Sequence, residues 1–232
     1  MTTKDHLIFS LLELARAGRV SDDETLTPEL MSYWIDNTRA MLIGQWIDKG
    51  RSINPDIIQV IPCMEITQVD ASECGCESTG CIIYRTVEEL PETLESSKGV
   101  NLVTRVASVD IRTPAFSFMP YERAIWSGGS KFTRSTPKAF LRNRYIYIMT
   151  DKYLGDKISV SLVAAYPEDL ESFSTCAGEP CYSKTSRYPI PARMIETMEG
   201  MIKENKLKIA IQVPGDDINN ANGIVNGQKG QE

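Results

Sequence analysis

RYIYIMTDKYLGDKISVSLVAAYPEDLESF, residues 144–173, carries the strongest β-strand pattern in the sequence. Side chains alternate along a strand, so residues 145–149 place tyrosine and methionine on one face and isoleucine on the other. Residues 158–162 alternate aliphatic side chains with serines. The polar segment 151–156 between the two runs contains glycine and aspartate, which favour a chain reversal. The pattern predicts a hairpin at the centre of a small sheet, ended by Pro167, which lacks the N–H of the ladder.

Length, composition and charge exclude several classes of protein. A chain of 232 residues with 42% hydrophobic and 24% charged residues is typical of an ordinary soluble protein of one or two domains. A net charge of −6 argues against a nucleic-acid binder, because such proteins neutralise phosphates with Lys and Arg. No apolar run approaches the roughly 20 residues that span a bilayer. The first apolar run is interrupted by Glu13 and Arg16, so we expect no signal peptide. We therefore expect a cytosolic protein without a membrane partner, whose six cysteines are reduced.

Two helices are predicted near the N terminus. Residues 4–17 place leucine and isoleucine on one broad stripe. Thr27 followed by Pro28 is a typical cap and first turn, and the second helix is predicted to run from there to Asp48. The two helices are expected to form an antiparallel pair, and residues 1–55 are interpreted as a helical region.

The remainder of the chain is predicted to mix strands with one late helix. Strand patterns are found at residues 64–69, 82–85 and 102–111, and a long excursion over 113–142 contains one short helical turn at 121–126. Pro191 opens a helix whose methionine stripe is interpreted as core. Residues 56–213 are thus an α+β region with long loops, and residues 214–232, rich in Gly, Asn, Asp and Gln, form an extended tail. The predicted fold class is α+β: an N-terminal helical pair, a mostly antiparallel β-sheet with a central hairpin, a late helix and an extended C-terminal tail.

Five cysteines in two windows are candidate metal ligands: Cys74, Cys76, Cys81, Cys176 and Cys181. Four thiolates from this set could bind zinc tetrahedrally. The spacings C-x-C-x4-C and C-x4-C differ from the CxxC pairs that are typical of zinc knuckles. A disulfide between the two windows and unbridged thiols are the other interpretations, and the sequence leaves all three open.

The sequence contains no recognisable catalytic constellation. His6 is the only histidine, and nucleophilic catalysis would require it together with a nucleophile and an orienting group. Neither GxxxxGK[ST] nor GxGxxG occurs. The acidic pairs 22–23 and 216–217 lie in polar sequence with nothing to bury them, whereas a catalytic carboxyl group needs such tuning. We predict that the protein is not an enzyme.

Several short motifs cover most of the chain in a characteristic order. They are Ala17-Gly-Arg-Val-Ser-Asp-Asp23, Asp48-Lys-Gly-Arg-Ser-Ile-Asn-Pro55, Tyr84-Arg-Thr86, Ala165-Tyr-Pro-Glu-Asp169 and Ile211-Gln-Val-Pro-Gly-Asp-Asp-Ile-Asn-Asn220. Together with Arg39 on the second helix and the Cys-rich loop, this order resembles the neck proteins of short-tailed bacteriophages, in particular the ring or head-to-tail adaptor (connector) proteins of crAss-like phages.

The resemblance implies a structural role without catalytic residues. Such proteins form rings, commonly of twelve copies, between the portal and the tail, and DNA passes through the lumen without specific contacts. The implied partners are further copies of the chain, the portal protein and other neck or tail rings, in a virion assembled in the host bacterial cytoplasm. An acidic balance suits a channel in which DNA slides without adhering. The interface candidates are Asp216, Asp217, Asn219 and Asn220 in the tail, with Arg39 and Trp46 on the second helix.

The alternative belongs to a different class of protein: a cytosolic zinc-binding interaction module, in which the clustered thiols fix a partner-binding loop. A ring protein forms a high-order homo-oligomer or assembles on a partner, whereas the zinc module is expected to be a monomer or dimer. The oligomeric state therefore discriminates between the two interpretations.

Overall fold

The fold combines helices at both ends of the chain with one seven-stranded sheet. The computed structural model describes residues 2–16, 26–70, 83–97, 99–110, 112–126, 136–150 and 154–207. The helices are α1 (Lys4–Arg16), α2 (Pro28–Asp48), α3 (Tyr121–Trp126) and α4 (Ala192–Ile202), which continues as a π-helical turn, Lys203–Leu207. The strands are β1 (Gln59–Val69), β2 (Ile83–Thr86), β3 (Val103–Ser108), β4 (Ser117–Phe118), β5 (Lys138–Arg142), β6 (Tyr145–Met149) and β7 (Lys157–Leu162). The predicted α+β class, the N-terminal helices and the late helix are confirmed, and the division into regions 1–55, 56–213 and 214–232 stays a prediction.

The N-terminal helices begin where the sequence predicts and pack with α4. Thr27 caps α2, because its hydroxyl oxygen accepts a hydrogen bond from the backbone N–H of Leu30 at 3.2 Å. Pro28 occupies the first turn, where its missing N–H costs nothing. The shared core consists of Leu7, Leu11, Leu12, Met31, Ile35, Tyr188, Ile190, Met198, Ile202 and Leu207. In α4, Met198 and Ile202 are fully buried, whereas Met194 and Met201 are half-buried, so the interpretation of the methionine stripe as core is confirmed in part.

The sheet has the strand order β3-β7-β1-β2-β6-β5-β4. All neighbouring strands are antiparallel except β4 and β5, which are parallel. The two edges of the sheet approach each other, since the backbone N–H of Phe116, just before β4, donates to the carbonyl of Val106 on β3 at 2.8 Å. The concave side encloses the main hydrophobic core, which includes Ile61, Met64, Val106, Ile146, Ile148, Ile158, Val160 and Leu162.

The predicted central hairpin is wrong, although both of its strands exist. In the sheet, β6 and β7 are separated by β1 and β2. The reason is the length of β1, 11 residues, whose first part pairs with β7 and whose last part pairs with β2. The hairpin that forms joins β5 to β6 through Asn143 and Arg144, whose φ angles of 50° and 66° are those of a tight two-residue turn.

Strand β6 separates two hydrophobic clusters, as its alternation predicts. Ile146 and Ile148 face the main core, while Tyr147 faces a smaller cluster on the other side. There the rings of Phe140 and Tyr147 stack with centroids 5.4 Å apart, and Tyr121 of α3 lies 5.3 Å from Phe140. Helix α3, which the sequence predicts at these residues, therefore covers this face of the β5–β6 hairpin.

A bulge in β1 carries a covalent link to the far end of the sequence. The register of β1 against β7 shifts between Ile61 and Met64, and a bulge there tolerates the missing N–H of Pro62. The next residue, Cys63, forms a disulfide with Cys176, which is 113 positions away. The expectation that all cysteines are reduced is therefore wrong for this pair, because the fold brings two distant thiols together.

Breaking this disulfide is expected to lower the free energy of unfolding by about 2–4 kcal/mol, because the bond restricts a long loop of the unfolded chain. Denaturant unfolding with and without reductant measures the loss. Cys63→Ser and Cys176→Ser should reproduce it and make stability insensitive to reductant. Cys181→Ser removes a free thiol and serves as the control that stays sensitive. An unchanged wild-type midpoint after full reduction would contradict the prediction.

Candidate assembly surfaces

A buried charge cluster connects the N-terminal helices to the segment between β7 and α4. Its members are Lys4, Asp36, Arg39, Glu168, Tyr182 and Tyr188. Arg39 is completely buried. Its Nε donates to the carbonyl of Pro189 and its Nη1 to the carbonyl of Ala164, both at 2.8 Å. These bonds attach the middle of α2 to both ends of the connecting segment.

Asp36 is the carboxylate on which the cluster converges. One of its oxygens accepts a hydrogen bond from Lys4 Nζ and the other from the Tyr188 hydroxyl, each at 2.7 Å. Lys4 also donates to Glu168 Oε1 at 2.9 Å, and the Lys4 side chain is only 1% exposed. Helix α1, helix α2 and two parts of the connecting segment therefore meet at one buried ion pair.

Burial dominates the titration behaviour of the cluster. It raises the pKa of Tyr188 well above its ordinary value, since a phenolate there would be desolvated; Arg39 opposes this shift and Asp36 adds to it. Burial also raises the pKa of Tyr182, which lies close to Asp36 and Glu168. Both phenols therefore stay protonated, and Tyr188 remains a hydrogen-bond donor to Asp36.

A second feature, the Trp46 groove, lies on the surface between the C-terminal part of α2 and the start of α4. Its lining residues are Leu42, Gln45, Trp46, Lys49, Arg51, Arg193, Met194 and Thr197, around about 200 Å³. The guanidinium carbons of Arg51 and Arg193 lie 4.2 and 4.1 Å from the centre of the Trp46 ring. The indole N–H donates to the carbonyl of Ser52 at 3.0 Å. The groove thus contains an aromatic ring that is in contact with two cationic side chains.

A polar recess of about 620 Å³ opens between the loop 90–95 and the β5–β6 turn. Arg144 projects into it and donates from Nε and Nη2 to the carbonyl of Leu90 at 3.1 and 2.9 Å. Carboxylates border the adjoining surface, and the pKa of Asp169 is raised by burial and by nearby Glu92. The recess therefore differs in charge from the Trp46 groove, which has no carboxylate in its lining.

The predicted interface residues occupy three different settings. Trp46 forms part of a surface groove. Arg39 lies in the interior, so any effect of Arg39 on assembly would act through the surfaces that it positions. The tail candidates Asp216, Asp217, Asn219 and Asn220 lie outside the described residues. A direct contact of any of these residues with another subunit stays a prediction.

The predicted zinc ligands are only partly described. Cys176 is bonded to Cys63, so its sulfur is not a thiolate in this structure. Cys181 is a free thiol whose pKa is raised by burial. The other three candidates, Cys74, Cys76 and Cys81, lie outside the described residues, as do the motif over residues 17–23 and part of the loop before β7. Within the described ranges, no group of three or more His, Cys, Asp and Glu is arranged to bind a metal. Zinc binding stays a prediction.

Removal of the Asp36 charge by Asp36→Asn is expected to lower the free energy of unfolding by about 3–5 kcal/mol, because buried Lys4 loses the more deeply buried of its two carboxylate partners and buried Arg39 loses a nearby negative charge. Denaturant unfolding measures the change. The control is Asp56→Asn, which breaks an exposed ion pair to Arg187 at 3.3 Å and should cost at most about 1 kcal/mol. Equal losses for the two variants would show that the buried cluster contributes no more than a surface pair.

Comparison with known proteins identifies the family. The family model for phage tail ring protein 2 of crAss-like phages matches residues 6–229. No curated protein matches the sequence. The matched range contains nearly all of the buried charge cluster and the whole Trp46 groove, and it does not support the alternative of a cytosolic zinc-binding module. Across the ranges that the structure describes, no helix is both long and apolar enough to cross a membrane. The chain belongs to the phage tail ring protein 2 family and is a structural ring protein of the virion.

Proposed function

We propose that the protein forms a closed homo-oligomeric ring of twelve copies in the phage neck, between the portal and the tail. The ring contributes a section of the channel through which the genome is packaged and ejected. Membership of a tail ring family over residues 6–229 is the observation that carries this proposal. The position in the neck, the copy number and the portal partner come from the resemblance to neck adaptors.

Exposed apolar side chains on the N-terminal helices support contacts with other subunits. Tyr33 and Met41 of α2 are 58% and 43% exposed. They are eight positions apart, which places them on one side of the helix two turns apart. Phe9 and Leu14 of α1 are also exposed. Interfaces between subunits need apolar surface of this kind at their centres.

The charge of the chain supports a channel role. Its net charge of −6 gives the ring a field that repels phosphates, so DNA can slide without being retained. The mechanism is one of shape and contact area: copies close around an axis through heterologous contacts that repeat from one subunit to the next. Each subunit then needs a fixed internal geometry, which the buried charge cluster provides.

Mixing the purified full-length chain with the portal protein tests the proposed function. We expect a high-order complex with twelve copies of the chain on the portal, because the portal supplies the template for ring closure. Native mass spectrometry gives the copy number and electron microscopy gives the position. Monomers or dimers that ignore the portal would overturn the proposal, whereas a ring on another tail component would leave the family role and remove the neck position.

Deletion of residues 214–232 is expected to leave the subunit folded and to weaken its docking. Residues 214–232 are rich in Gly, Asn, Asp and Gln and offer little apolar surface to bury, so thermal unfolding should change little. The tail contains four of the predicted interface residues, so assembly on the portal should fall in the same native mass spectrometry experiment. Particles that assemble equally well with the truncated chain would contradict a role for the tail as a clasp.

A further inference from the structure

We propose that the Trp46 groove of one subunit binds the acidic segment around Asp216 and Asp217 of a neighbouring copy. The inference rests on the proposed ring and names a contact that joins adjacent subunits. The groove lies within the described residues, and the segment follows Leu207, the last of them. Charge, stacking, apolar contact and reach each support this occupant.

The groove concentrates positive charge on an acidic protein. Lys49, Arg51 and Arg193 border it and are exposed, in a chain of net charge −6. Across the described ranges, none of these three cations lies within ion-pair distance of a carboxylate. Asp48, adjacent in sequence, is not a lining residue and accepts a hydrogen bond from the backbone N–H of Ser97 at 2.9 Å. The groove therefore favours an anionic ligand.

The arginines are arranged before any ligand arrives. The guanidinium carbons of Arg51 and Arg193 lie over the Trp46 ring, 4.2 and 4.1 Å from its centre, and this contact limits the freedom of both side chains. The ring itself is fixed by the bond from its N–H to Ser52. A stacked guanidinium keeps its N–H groups directed at its edge, where they can bind a carboxylate through two parallel hydrogen bonds. The groove thus suits carboxylates rather than a diffuse negative charge.

The floor of the groove is apolar, so a ligand that fills the groove should also carry an apolar side chain. Leu42 and Met194 line it and are partly buried against the helical core. A methionine side chain adapts readily to different apolar partners. The tail offers the matching chemistry in three consecutive residues, since Ile218 follows the two aspartates. A volume of about 200 Å³ accommodates a few side chains of a peptide, not a folded element.

The tail is long enough to reach well beyond the helix that precedes it. Asp216 is nine positions after Leu207, which is an extended reach of about 30 Å. Helix α4, whose first turn lines the groove, has 11 residues and is about 16 Å long. A tail that binds the groove of the next copy makes a heterologous contact, and such contacts close a ring by repetition.

Charge reversal in full-length chains tests the contact. The groove variant is Arg51→Glu with Arg193→Glu, and the tail variant is Asp216→Lys with Asp217→Lys. Each alone should weaken self-association on the portal at least tenfold, measured by native mass spectrometry. An equimolar mixture should restore association, because each reversed tail then finds a reversed groove in the other chain. Lys184→Glu with Lys203→Glu makes the same charge change at exposed residues elsewhere and is the matched control.

The pattern of rescue decides the outcome. Rescue in the mixture establishes a contact between copies. Rescue only when all four substitutions are in one chain would show that the tail folds back on its own groove, and that result overturns the inference. Unchanged association of both variants in a ring that still forms would also overturn it, while leaving the proposed function intact.

A peptide experiment separates the contact from the ring. A fluorescent peptide of residues 212–222 should bind the tail variant, whose own tail cannot compete, and binding should fall at least tenfold when the groove substitutions are added. Binding of this kind without any ring supports the contact and overturns only the proposed function. Absence of peptide binding overturns the inference. Displacement of the peptide by a short DNA duplex would also overturn the inference, since the groove would then bind phosphates.

Discussion

The buried ion pair between Lys4 and Asp36 is the constraint on which the rest of the subunit depends. The Lys4 ammonium and the Tyr188 hydroxyl both donate to this carboxylate, and the Arg39 guanidinium interacts with it electrostatically, so its loss leaves buried cations with less compensating charge. An apolar replacement of the whole cluster could be equally stable, because desolvation offsets much of the attraction within a buried pair. The cluster fixes α1 and α2 against the segment between β7 and α4. A ring requires subunits of one defined shape, since an angular error in one subunit is repeated in every copy.

The segment between β7 and α4 shows how irregular backbone becomes a rigid part of the structure. It has a 3-10 turn, Pro167–Ser172, and otherwise little regular structure. Side chains anchor it at several points: Cys176 to β1, Glu168 to α1, and Tyr188 to α2. Buried backbone carbonyls at its two ends are satisfied by the Arg39 guanidinium. Long-range side-chain contacts thus hold this segment in place, as backbone hydrogen bonds hold the strands within the sheet.

Local features of the sequence predict where helices and strands form, but they do not predict which strands pair or which side chains meet. Caps and helical periodicity predict α1 and α2 because those signals act within one or two turns. Alternation predicts β6 and β7, but their pairing depends on β1, where Pro62 conceals one continuous strand. The candidate sites are likewise formed by residues that are far apart in the sequence. Lys4 and Asp36 are 32 positions apart, and Tyr188 is 152 positions from Asp36, so spacing carries no sign of their meeting. Cys63 and Cys176 are 113 positions apart, so spacing does not predict their disulfide either.

The arginines of α2 and its surroundings show why a residue type does not determine a role. Arg39 donates hydrogen bonds to backbone carbonyls of its own subunit, so its role is in folding. Of its side-chain nitrogens, only Nη2 has no hydrogen-bond partner among the described residues. Arg51 and Arg193 stack on Trp46, and across the same ranges no carboxylate lies within ion-pair distance of either. A buried arginine must find its partners during folding because an unpaired charge there is costly. An exposed, stacked arginine retains its binding capacity for another molecule, and this capacity distinguishes the surface of a subunit that assembles from the interior that merely folds.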